Sequence, residues 1–283
     1  SGDSVVCSTD DPFALINDAL AERRCAAHEL PFVGGALGYF AYDLGRRIEK
    51  LPAVAAQDLD IPDMAIGIYD WAAIFDHQAQ CAWLVSQEDC EQDLDRWENV
   101  LGAPEPLTPA AYGTSFHTIS AVKAETDYAQ YAAAFAQIKQ YIVDGDCYQV
   151  NLAQRFSAAV SGDSWDAYLR LRNLNPAPYS AYFSIPQCAI LSSSPERFLR
   201  VEGRRVETKP IKGTRPRSSD PLEDQRLQEE LLGSEKDRAE NVMIVDLLRN
   251  DLRKSCEIGS ISVADLFALE SYATVHHLVS TVR

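Results

Sequence analysis

Residues 180–217 read SAYFSIPQCAILSSSPERFLRVEGRRVETKPIKGTRPR. The runs SAYFSIP, CAILSSS, RFLRVEG and RRVETKP mix β-branched and aromatic residues and are separated by turn formers. They predict successive short antiparallel strands, with a turn at Glu202-Gly203. PIKGTRPRSS, with two prolines and a glycine, is expected to follow as a loop. Lys209, Lys212, Arg215 and Arg217 crowd into this region of a chain whose formal net charge is −16. Either the cluster is a solvated basic turn, or it holds an anion and uses one lysine chemically.

Helices are expected next. Asp220-Pro221-Leu222-Glu223 supplies an N-cap, a proline at the first helical position and an acid in the first turn, and Gly233 is placed to end that helix as its C-cap. Ser234 to Asp237 then starts a second helix through EKDRAENVMIVDLLRNDL. Upstream, ETDYAQYAAAFAQIKQYIVDGD puts apolar residues at 128, 131, 135, 138 and 142, one face of a helix that Thr126 or Glu125 would cap and Gly145-Asp146 would end. CYQVNLAQRFSA alternates Tyr148, Val150 and Leu152 with Gln149 and Asn151, the pattern of a strand with one polar face. GGALGYFAYD and MAIGIYDWAAIFDHQAQCAWLVS read as strands and hairpins, and LGAPEPLTPAAYGTS (101–115) is the most linker-like segment. Strands followed by helices make an α+β chain rather than a βαβ repeat. SYATVHHLVSTVR is a further strand with no visible partner after it, as expected of a chain cut inside a larger fold.

Composition narrows the function. With 283 residues and 46% hydrophobic content the chain can build a sizeable core. Its negative charge argues against nucleic acid or anionic membrane as partner, since both would repel it. Seven cysteines, an odd number without CxxC spacing, argue against a zinc site or a disulfide framework and fit reduced thiols in the cytoplasm. SGDSVVCSTDDPF lacks the form of a signal peptide, and no apolar run nears the ~20 residues that span a bilayer.

Several residues are candidates for chemistry. Glu196 in SSSPERF is either a surface carboxylate or a general acid. Lys212 lies 16 residues further on, within reach through a short hairpin. A lysine nucleophile has to be neutral, a state favoured by burial or by cationic neighbours, and Lys209, Arg215 and Arg217 are neighbours in sequence. Gly213 lets backbone approach closely. Asp237 and Glu240 share a helix face, and Glu240 aligns with Asp251 three turns on. The face is either laced with salt bridges or binds Mg²⁺, which often takes only one or two carboxylates. His276 and His277 point to opposite sides of a strand and cannot readily share one metal. Walker A, GxGxxG and HExxH patterns do not occur.

In order, PFVGGALGYFAYD, GDCYQVNLAQRF, NPAPYSAYF, SSSPERF, ETKPIKGTRPR, EKDRAENVMIVDLLRNDL and VHHLVST resemble the successive signatures of the chorismate-utilising enzymes. That family includes the anthranilate, aminodeoxychorismate, isochorismate and salicylate synthases. The resemblance runs from about Pro31 to Arg283. It implies an anthranilate-synthase-like α+β fold of antiparallel sheets packed as a sandwich with flanking helices. Residues 1–115 would form an N-terminal sheet region and 116–283 the first part of the catalytic region, in one intertwined fold. Gln149 stands where isochorismate-type enzymes have a lysine base, which speaks against water addition. PIKGT, rather than the PIAGT usual in anthranilate synthases, is similar to aminodeoxychorismate synthase component I.

The resemblance therefore implies amination of chorismate to 4-amino-4-deoxychorismate, the precursor of p-aminobenzoate and folate. Lys212 would be the nucleophile, Glu196 the general acid and His277 the histidine beside the substrate. Gly213, Thr214 and Gln149 would meet the substrate. Glu240 would hold Mg²⁺, and a glutamine amidotransferase subunit would supply ammonia. The resemblance leaves open anthranilate synthase, or a non-catalytic module binding that subunit. A second Mg²⁺-binding glutamate, a GAPK-type loop and a glycine-rich strand of the family do not occur in this sequence, and the segment before SGDS is shorter than in relatives. The chain is expected to be incomplete at its C-terminus and inactive by itself.

Overall fold

The computed structural model describes residues 5–21, 29–54, 56–86, 91–102 and 115–283. Most of the linker-like stretch 101–115, and Cys25 and Cys90, lie outside them. The chain divides into two compact units, 1–108 with 183–189, and 109–182 with 190–283.

The first unit contains α1 (Pro12–Ala21), β1 (Gly35–Phe40), a 3₁₀ helix (Tyr42–Arg47), β2 (Met64–Tyr69), β3 (Trp71–Asp76), β4 (Cys81–Ser86) and α2 (Glu91–Leu101). β1 pairs with β2 and β3 with β4, both antiparallel and without a register shift. The Asp76 carboxylate accepts the backbone N–H groups of Gln78 and Ala79 and fixes the β3–β4 turn.

The second unit opens with β5 (His117–Thr118), β6 (Lys123–Ala124), α3 (Tyr128–Asp144), β7 (Phe156–Ser157), β8 (Val160–Ser161) and α4 (Ser164–Leu174). The hairpin of β9 (Tyr179–Ile185) and β10 (Cys188–Ser194) follows, its outer residues grouping with the first unit. Then come β11 (Arg197–Glu202), β12 (Arg205–Lys209), β13 (Ile211–Pro216), α5 (Pro221–Gly233), α6 (Glu235–Leu252), β14 (Val263–Ser271) and β15 (Val275–Val282). β15 is the centre of a five-stranded antiparallel sheet. β14 lines one edge of β15, β12 and β13 lie end to end along the other, and β11 pairs outside β12.

α5 and α6 cover one face of this sheet. Alternate residues of β15 meet them: His276 contacts Asp224 of α5, Ser280 donates to Asn241 of α6, and Val282 packs on Val245 and Leu252. With a side-chain period of two, His277 is on the opposite face. α6 buries Asp237, Asn241, Val245 and Leu252, a stripe at helical spacing with two polar members.

The run of strands followed by helices is present, and the fold is α+β. Asp220 caps α5 and Ser234 caps α6, as the sequence suggested. Gly233 is the last residue of α5 and Ser234 is its C-cap, so one residue serves both helices.

Other expectations need correction. α3 is capped by Asp127, not Thr126 or Glu125, because only Asp127 and Gln130 form the reciprocal capping box; Gly145, left-handed at φ 82°, ends the helix. The apolar positions of α3 are not buried among the described residues. Residues 147–155 are irregular, since alternation marks an extended chain but does not provide a neighbouring strand to pair with. The β11–β12 turn is at Gly203-Arg204. PIKGTRP is a strand rather than a loop: its prolines sit at strand ends, where no ladder N–H is needed, and its glycine lies at a bulge. β14 escaped notice because two register shifts and Phe267, at φ 60°, break its alternation. β15 has its partners upstream in sequence. No helix among the described residues is long and apolar enough to cross a membrane.

Candidate active site

His277 is the hub of the proposed residues. Thr214, its register partner on β13, places its hydroxyl 2.9 Å from Nδ1. A backbone hydrogen bond with Gly213 further ties the ring to the same strand. Burial pushes the His277 pKa below its ordinary value, and the Gly213 contact and the Glu196 and Glu270 charges oppose that only in part. The neutral imidazole is therefore favoured. Glu196, in the turn before β11, accepts the N–H of Ile211 at 3.1 Å, which holds the carboxylate at the start of β13.

Between Ile211 and Thr214 the β13–β15 register shifts, and Gly213 adopts φ 93°. A Cβ here would stand 2.9 Å from Asp237 Cβ and 3.0 Å from Leu231 Cδ1. Backbone conformation and packing both require glycine, before any substrate is considered. Lys212 occupies the bulge itself and is half-buried.

The basic cluster resolves into unequal members. Lys209 pairs with Glu270 at 2.8 Å; Arg215 pairs with Glu230 at 2.7 Å and Asp237 at 3.2 Å; Arg217 pairs with Asp224 at 2.9 Å. Among the described residues Lys212 has no carboxylate partner and no side-chain hydrogen bond. The three sequence neighbours expected to depress a lysine pKa are thus neutralised by carboxylates, and their field at Lys212 is correspondingly weaker.

Two further residues make no hydrogen bond or ion pair with this group among the described residues. Glu240, on the helix packed against β13, pairs with Lys236 at 2.9 Å, while Asp237 of the same helix turns inward to Arg215. Gln149 is half-buried in the irregular segment and, among the described residues, hydrogen-bonds none of the others. No group of three or more His, Cys, Asp or Glu side chains among the described residues could hold a metal ion. Glu240 by itself does not make a magnesium site.

The sequence reading passed over Tyr272, Glu270 and Asp224. Tyr272, Pro195 and Thr274 wall a cavity of about 230 Å³ that His277 lines. Asp224 binds Arg217, the N–H of Ser218 and His276 Nε2, and the Arg217 hydrogen bond leads in holding its carboxyl far below the usual range. His276 is fully buried in that network, with Ser271 Oγ 2.8 Å from its Nδ1, so of the two histidines it is the structural one.

This geometry can be set beside known proteins. Aminodeoxychorismate synthase component 1 of Klebsiella aerogenes is 47% identical over 284 residues, covering 99% of this chain and 61% of that protein. The Escherichia coli (strain K12) protein of the same name is 47% identical over 278 residues, covering 97% and 60%. Anthranilate synthase component 1 of Thermus thermophilus is 40% identical over 257 residues, covering 89% and 55%. The crystal structure of anthranilate synthase component I from Streptococcus pneumoniae TIGR4 superposes with a TM-score of 0.83 at 29% identity, over 97% of this chain and 62% of that one. The chain thus spans about three fifths of the length of the aminodeoxychorismate synthase relatives. The family model described as chorismate binding enzyme matches residues 3–283, and with the fold and the ordered motifs in agreement, the chain belongs to the chorismate binding enzyme family.

Proposed function

We propose that this chain carries part of the active site of an aminodeoxychorismate synthase component 1, which converts chorismate and ammonia to 4-amino-4-deoxychorismate and water for p-aminobenzoate and folate synthesis. The observation that carries the reading is Lys212. It is the one member of the basic cluster left without a carboxylate among the described residues, and it sits in the bulge between Glu196 and the Thr214–His277 pair.

Neutral Lys212 adds at C2 of chorismate as the C4 hydroxyl departs, and Glu196 donates the proton that makes water of it. Ammonia then adds at C4 and expels the lysine. The covalent step avoids direct displacement of a poor leaving group. Thr214, Gly213 and Gln149 are assigned to substrate binding and His277 to the substrate's side. Ammonia comes from a glutamine amidotransferase subunit in the cytoplasm. Mg²⁺ would neutralise a substrate carboxylate. Glu240 is proposed as one of its ligands, but the described residues do not complete a site, and no step here depends on the metal.

The test uses a protein spanning the whole length of the relatives, supplied with chorismate, ammonia and Mg²⁺. Lys212→Ala is expected to abolish amination, and Glu196→Gln to slow it by about 10²–10⁴-fold. Undiminished amination by Lys212→Ala would overturn the nucleophile assignment. Fluorescent anthranilate with released pyruvate would favour the anthranilate synthase reading instead. The 283-residue chain alone is expected to form no product.

A further inference from the structure

One row of the central sheet reads Thr214–His277–Glu270 across β13, β15 and β14. Directly opposed residues of an antiparallel sheet share a face and interact. Thr214 meets the imidazole through a hydrogen bond, but Glu270 has no part in the mechanism above. It is nevertheless held at both oxygens. Lys209 Nζ donates to Oε1 at 2.8 Å and the Tyr272 hydroxyl donates to Oε2 at 2.5 Å. The Lys209–Glu270 pair spans β15, joining the strands on its two edges. The Tyr272 ring lies 5.7 Å from the His277 ring at 60°, and both line the same cavity.

We propose that Glu270 is a positioning residue of this site, anchoring Tyr272 against the His277 imidazole and, with Lys209, setting the field at that ring; the assignment rests on the role given to His277 above.

The charges around His277 are few. Glu196 faces it from the turn before β11 and Glu270 from β14, and Lys212 lies in the neighbouring bulge of β13. Asp237 of α6 lies against Gly213 but is tied to Arg215, and Asp224 and Arg217 belong to the His276 side of the strand. Burial pushes the Glu270 pKa up, but the hydrogen bonds from Lys209 and Tyr272 outweigh it and leave the carboxyl below its ordinary value. Glu270 therefore stays anionic while a histidine titrates.

The experiment follows the His277 ring by NMR titration in the full-length protein labelled at histidine Cε1, with the resonance assigned through His277→Gln. Glu270→Gln keeps an acceptor for Tyr272, removes the negative charge and leaves Lys209 cationic. The His277 midpoint is expected to fall by about half a pH unit. Lys209→Met leaves the Glu270 charge uncompensated, and the midpoint is expected to rise by a similar amount. Glu270→Asp should restore most of the shift caused by Glu270→Gln. Opposite displacements support the proposal, because a purely structural role would not produce them. An unmoved midpoint in both variants, or displacement in the same direction, overturns it. Amination plays no part in this readout, so failure of the functional reading would appear separately, as absence of product from the full-length enzyme.

Discussion

Gly213→Ala tests the bulge on which the site is built. Two costs can be worked from the geometry. Gly213 has φ 93°, and forcing an L-residue into left-handed backbone costs about 1–2 kcal/mol. The new Cβ would also stand 2.9 Å from Asp237 Cβ and 3.0 Å from Leu231 Cδ1. Both neighbours are buried, so neither can swing into solvent, and overpacking of this kind costs about 1–3 kcal/mol. The total is about 2–5 kcal/mol. Gly203→Ala is the internal control. Gly203 is also left-handed, at φ 57°, but nothing lies within 4 Å of its added Cβ, so only the backbone cost applies. Urea unfolding of the two variants beside the parent separates the contributions, provided the slope is unchanged. A midpoint for Gly213→Ala no lower than that for Gly203→Ala would refute the packing argument. A shift of Asp237 that relieved the contact would loosen its pair with Arg215, and a shift of the bulge would carry Thr214 away from His277, so the same variant should also weaken the amination proposed for the full-length protein.

Asn241→Ala should cost about 1–3 kcal/mol in the same assay, since the buried Ser280 hydroxyl loses the acceptor for its proton and the Leu278 carbonyl loses the Asn241 amide, while the Ser280 oxygen still accepts the Phe267 N–H. Asp127→Ala removes the capping box of α3 and should cost about 1 kcal/mol, seen as loss of amide-exchange protection in the first turn of that helix. The folded pKa of Asp224 is depressed, so its contribution is present above the unfolded carboxyl pKa of about 3.9 and is lost progressively as pH falls below it. Asp224→Asn should therefore flatten the acid limb of a melting-temperature profile between about pH 5 and pH 2, and parallel profiles would count against the assignment.

Local signals made much of the second unit legible. Asp220, Pro221 and Ser234 announced α5 and α6, and β-branched and aromatic runs between turn formers announced β9 to β12. Partners distant in sequence were not legible. PIKGTRP carries the prolines, glycine and cations of a turn, and becomes a strand only because β15, more than 60 residues on, pairs with it. The carboxylates were hidden as well: Glu270, Glu230 and Asp224 lie outside the stretch that they neutralise, 61, 15 and 7 residues from their partners. The opposite orientation of His276 and His277 could be read from strand periodicity, but which of them faced the helices could not.

Register decides that last point. The row Arg215–His276–Ser271 faces α5 and α6, where Asp224 and Glu230 of α5 and Asp237 of α6 wait for its polar groups. The adjacent row Thr214–His277–Glu270 faces the other way. A slip of one residue would exchange the rows, because strand side chains alternate. Asp224 would then lose His276, Asn241 would lose Ser280, and Val282 would leave the Val245–Leu252 cluster. Leaving Asp224 and Asp237 buried without partners is costly, and the apolar contacts would be forfeited with them. The pairings that hold the helices to the sheet thus also select the histidine and threonine presented at the candidate site. Three of the four cations in 207–217 serve this packing or the Glu270 anchor, and among the described residues Lys212 alone of the four has no carboxylate partner.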